Sequence, residues 1–144
     1  MPASDPADQV PFSYLVLRAV PSVERGEQIN VGVVVFCRQR RFLGIRWEVD
    51  PGRLAALQRR VDGIGTDELG AEIDGHLRAL GRVAEGDPGA GPIAALHQSD
   101  RFGWLAAPSS TIVQPSEVHT GLCEDPDATL EALFERLVAT ASPN

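Results

Sequence analysis

The chain has 144 residues, 43% of them hydrophobic, and a formal net charge of −7. That length suits one domain, which buries about 70% of the surface its unfolded chain exposes and needs neither disulfide nor metal to hold together. The acidic balance argues against general nucleic-acid binding, which is mostly cation against phosphate, and no run approaches the ~20 apolar residues of a membrane span.

Cys37 and Cys123 form no CxxC and lie far apart in sequence, the pattern of a reducing compartment. The opening MPASDPADQVP is polar and proline-punctuated, without the basic and apolar regions of an export signal. The expectation is a cytoplasmic protein with a disordered lead-in over residues 1–11 and a single domain over 12–141. All 13 basic residues are arginine, which reads as coding bias in a GC-rich genome.

Three strands open the domain. Phe12 to Val20 alternates Tyr14, Val16 and Arg18 with Leu15, Leu17 and Ala19, and Pro21 closes it by removing a ladder donor. Arg18 stands out, because a cation in mid-strand must reach an edge or meet a carboxylate. After the irregular loop PSVERGE, Gln28 to Arg38 is the most β-prone run in the chain. It places Ile29, Val31, Val33, Val35 and Cys37 on one face and Asn30, Gly32, Val34 and Phe36 on the other. Phe42 to Val49 returns as the third strand, with Leu43, Ile45 and Trp47 opposed to Phe42, Gly44, Arg46 and Glu48.

Asp50-Pro51 has the chemistry of a helix start, an Asp N-cap with Pro at the first helical position. Leu54, Leu57 and Val61 form a short apolar stripe behind it. A second start at Thr66 leads a stripe of Leu69, Ile73, Leu77, Leu80 and Val83 to about Ala84, with Gly70, Gly75 and Gly81 set into it for close packing or a looser helix. Glu85 to Pro92 reads as a mobile loop, Ile93 to His97 as a helical turn, and Arg101–Ala106 and Thr111–Val113 as short strands. Asp125-Pro126 repeats the helix start, and Leu130, Leu133, Phe134, Leu137 and Val138 carry its stripe to about Ala141. The fold class expected is α+β: a mostly antiparallel sheet of four to five strands, the three N-terminal strands as its centre, covered by two or three helices.

No catalytic motif is present: no GxSxG, HExxH, P-loop or GxGxxG behind a strand. His119 and Cys123, with Cys37, His76 or His97, lack the paired ligands that announce a zinc site, so neither metal nor cofactor is expected. Ser109, Ser110 and Thr111 with His119 lack a nucleophile elbow, and the simpler reading is a turn whose hydroxyls bond nearby backbone. The cationic turn Arg38 to Arg41 reads as a solvated face able to steer an acidic partner. The most informative polar set is Arg18, Glu24, Arg25, Glu27 and Asn30, beside the most buried strand. It is either a network that fixes loop and register or a recognition pocket for an anion or a partner's backbone.

The run SYLVLRAVPSVERGEQINVGVVVF resembles the start of the bacterial family called domain of unknown function 3037, through Tyr14, Arg18, Val20, Pro21, Glu24 to Glu27 and Asn30 to Val33. RFGWL, the Ser-Thr-Ile run and LEALFERLV extend the resemblance over nearly the whole chain. The family has no established activity to transfer. Its members are often encoded beside HipA-like kinase proteins, so the resemblance implies an accessory role with a protein partner, a homo-oligomer staying open. The alternative is a hydrolase or nuclease-like enzyme using Arg18, Glu27 and Asn30.

Overall fold

The computed structural model describes residues 8–22, 27–58, 66–109 and 111–139. Its element order is β1 (Val10–Ser22), β2 (Glu27–Cys37), β3 (Phe42–Trp47), α1 (Pro51–Gln58), α2 (Thr66–Glu85), α3 (Gln98–Ala106), β4 (Val113–Pro115), β5 (His119–Cys123) and α4 (Pro126–Leu137). All strand pairs are antiparallel, in the order β3-β2-β1 with β4 and β5 sharing the far edge of β1. The class is α+β, as expected, with five strands and four α-helices among the described residues. Two of the three N-terminal strands are central, but among the described residues β3 pairs only with β2 and forms an edge.

β1 begins two residues earlier than its apolar run implies, because Val10 and Pro11 pair with Cys123 and Leu122 of β5. Its two faces bury into separate cores. Leu15, Leu17 and Ala19 pack with Leu54 of α1, Leu69, Ile73 and Leu77 of α2, and Phe102 and Leu105 of α3. Val10 and Phe12 pack with Val33, Val35, Cys37 and Leu130, Leu133 and Phe134 of α4. A sheet covered on both sides explains why its central strands are apolar on both faces.

The expected faces of β2 hold only from Gly32 onward. Leu17 pairs with Gly32 and Arg18 with Asn30, so Val31 is an extra residue, a β-bulge. The bulge turns Val31 and Ile29 into the α2 core while Val33, Val35 and Cys37 face α4. Asn30 moves with it to the α4 side, where its Nδ2 donates to Leu137 O at 3.1 Å.

Arg101–Ala106 is not a strand. It lies in helix α3, where Phe102 and Leu105 share the buried face and Trp104 points outward, a spacing that suits a helix better than alternation. The expected strand at Thr111–Val113 lies two residues further on, as β4. Glu85 to Pro92 carries a 3₁₀ turn over Pro88–Ala90, followed by another over Pro92–Ala95. There Arg82 hydrogen-bonds Asp87, and with the Gly89 N–H this holds the Asp87 carboxyl below the usual carboxylate range. Of the three α2 glycines, Gly81 is the one in close packing: a Cβ there would meet the Trp47 ring at 2.9 Å, while Gly75 faces open space.

Both Asp-Pro starts behave as their chemistry requires. Asp50 Oδ2 accepts from Arg53 N at 3.1 Å, and Asp125 Oδ1 accepts from Asp127 N at 3.1 Å. The expected end of α4 near Ala141 lies outside the described residues, as do Val61 and Ser110. No helix of the described residues is long and apolar enough to cross a membrane.

Between β4 and β5 the far edge of β1 is closed by one side chain. Ser116, 5% exposed, donates its backbone N–H to Val16 O at 2.8 Å and accepts the Val16 N–H on its Oγ at 2.9 Å. Its hydroxyl proton goes to Glu117 O at 2.8 Å. Ser116→Ala should therefore cost about 1–3 kcal/mol in urea unfolding, since it leaves a buried N–H without an acceptor. Unchanged stability would show that the ladder closes without the hydroxyl.

Candidate functional site

The polar set beside β1 and β2 divides into parts with different surroundings. Arg18 and Asn30 are opposite each other in the ladder, on the α4 side, and Gln114 of β4 flanks Arg18 on the other edge. Asn30 is tied to the C-terminal end of α4 through Leu137 O, and Arg53 of α1 donates from Nη1 to the next carbonyl, Val138 O, at 3.1 Å. Two side chains from other elements thus satisfy carbonyls that a helix end leaves without intrahelical donors. Half-buried Arg18 has no side-chain hydrogen bond or ion pair among the described residues. Glu27 opens β2 opposite Ser22. Glu24 and Arg25 lie outside the described residues.

The histidines and cysteines do not gather into a ligand set: no group of three or more His, Cys, Asp or Glu among the described residues could hold a metal ion. His119 and Cys123 occupy opposite ends of β5. The His119 ring lies 5.1 Å from that of Tyr14, with Glu117 at 3.6 Å from its Nε2. Cys123 is buried, and burial, with the neighbouring Cys37 thiol second, pushes its thiol up. Both thiols are free.

An apolar hollow lies elsewhere, at the β4 edge of the sheet. A mostly apolar cavity of about 310 Å³ is lined by Leu17 and Val113 of the sheet, His76 and Leu80 of α2, and Trp104 and Leu105 of α3. Its size is at the lower end for a ligand site, and its make-up, apolar walls with few polar groups, is the usual one. Trp104, 43% exposed, stands in its wall.

Ser109 and Thr111 also line this cavity, in company with His76 and not with His119. The hydroxyls are already engaged. Thr111 Oγ1 donates to Val113 O at 2.7 Å, so the 2.9 Å contact with Ser109 Oγ is a hydrogen bond donated by the serine. Ser109 Oγ also accepts from Thr111 N at 3.2 Å. Neither proton is directed at a base, and the group acts as the backbone-bonding turn its sequence suggests.

Sequence reasoning passed over this cavity because its walls come from residues far apart in the chain. Trp104 was hidden inside a segment that alternation makes look like a strand. Its position two after buried Phe102 and one before buried Leu105 is the signal that places it outside a helix's buried face.

The chain matches over residues 14–138 the family described as protein of unknown function (DUF3037), and it belongs to that family. No curated protein and no solved structure matches it.

Asn30→Ala should lower stability by about 1 kcal/mol, the worth of the bond to Leu137 O, whereas Arg18→Met should stay within about 0.5 kcal/mol. Urea titration of both variants checks this. A loss above about 2 kcal/mol for Arg18→Met would place that cation in a structural network.

Proposed function

We propose that this DUF3037 protein works by binding a protein partner, and that the cavity beside Trp104 receives an apolar side chain of that partner. What carries the reading is the combination of an open apolar hollow with a large exposed aromatic in its wall. Tryptophan is enriched among the residues that dominate interface energy, since it buries much area at little conformational cost. His76 supplies a half-buried polar group in the same wall, suited to orienting the occupant.

Engagement of the Ser109 and Thr111 hydroxyls by their own turn supports binding over hydrolysis. Free, buried thiols support a reducing, cytoplasmic setting. The net charge of −7 supports a protein partner over nucleic acid. A HipA-like kinase is the first partner to test, because the family resemblance implies it.

Affinity capture with the tagged full chain from its own cells tests the proposal. Wild type should retain a partner that Trp104→Ala loses, with the melting temperature of the variant within about 2 °C because the ring is half exposed. Equal capture by both proteins would remove the cavity from the interface.

A further inference from the structure

β3 presents an open strand edge. Glu48 N donates to Val31 O at 2.8 Å, and Phe42 to Trp47 pair in register with Cys37 to Gly32. Backbone groups alternate in direction along a strand, so those of Phe42, Gly44 and Arg46 face β2, as does Glu48. Those of Leu43, Ile45 and Trp47 face away. Among the described residues no hydrogen bond reaches the outward groups of Leu43 or Ile45.

This edge is not flush with the surface. A groove of about 330 Å³ runs along five consecutive residues, Phe42 to Arg46, and is walled by Glu85 of α2 and by Asp127, Leu130 and Glu131 of α4. Because α2 and α4 cover opposite faces of the sheet, a hollow bounded by both lies along the strand's free edge. The Phe42 ring folds over Gly44, whose Cβ would meet it at 2.6 Å and Leu130 at 3.0 Å, and so builds an apolar wall on the α4 side. The β4 part of the opposite edge is blunted by comparison: it has three residues and ends at Pro115, which has no N–H to offer.

The rim is acidic. Arg46 is already engaged, with Glu131 at 3.1 Å and the Phe134 ring at 4.8 Å, which leaves the Glu85 and Asp127 carboxylates without a cation among the described residues. We propose that this edge receives an extended, basic segment of a partner protein as an added strand. Its backbone would bond Leu43 and Ile45, and its Lys or Arg side chains would meet Glu85 and Asp127. The charge excludes two nearer occupants. The first seven residues of this chain carry aspartate and no basic side chain, and a second copy would bring the same acidic walls together.

Fluorescence anisotropy of labelled acetyl-Lys-Lys-Val-Val-Lys-Lys-amide, which carries lysines on both faces of an added strand, against the full chain tests this. Saturable binding is expected, at least threefold weaker in the double variant Glu85→Gln, Asp127→Asn and absent for the Glu-Val analogue. N-methylation of alternate peptide residues should weaken binding tenfold or more in one register and leave the other nearly unchanged, a readout that needs no change to the protein. Trp104→Ala should bind the peptide as wild type does, so this site and the cavity fail or stand separately. No saturable signal, equal effects of both N-methyl registers, or equal binding of the acidic analogue would overturn the proposal. So would sedimentation showing a dimer of the chain alone that Ile45→Pro abolishes.

Discussion

Everything in this fold depends on β1 being satisfied along its whole length on both edges. One edge carries β2; the other carries β5 and then β4, with the Ser116 hydroxyl bridging the gap at Val16. A buried strand with an unpaired amide would lose free energy on the scale of a hydrogen bond at each such group, a sizeable part of a total stability of about 5–15 kcal/mol. Once β1 is fixed, its alternation divides the rest of the chain into two cores. The α2 and α3 side takes Leu15 and Leu17, and the α4 side takes Phe12.

The bulge at Val31 then shapes the polar region. Without the extra residue Asn30 would face the opposite core, where its amide would have no carbonyl of α4 to bond. With it, Asn30 holds the end of α4 against the sheet while Arg53 ties it to α1, and Arg18 comes to lie across from Asn30. Part of the polar signature at the start of the chain is thus scaffold: Asn30 fixes a helix end. Arg18 has no such partner among the described residues.

Much of the scaffold was legible in the residues. The β-branched density of β1 and β2, the two Asp-Pro helix starts and the apolar stripe of α4 are local signals with local causes, and the structure follows them. The bulge was not legible, because periodicity counts every residue equally and one added residue reverses the faces on one side of it; Gly32 beside Val31 was the only hint. The segment Arg101–Ala106 misled because Phe102 and Trp104 alternate as in a strand, while the pair that is buried is Phe102 and Leu105. Ser116 carries no motif, and its role exists only because β4 and β5 stop short of each other. The cavity and the β3 groove were out of reach for a further reason: each joins helices and strands that only tertiary packing brings together.

A sheet with a sealed centre and one recessed open edge makes a sharp claim about backbone protection. Hydrogen exchange resolved to single amides by NMR tests it most directly. The Val16 amide should exchange only with global unfolding, like that of Leu15. Along β3, the amides of Gly44 and Arg46 should be protected while those of Leu43 and Ile45 exchange faster by orders of magnitude. Uniform protection along β3, or rapid exchange at Val16, would contradict the account.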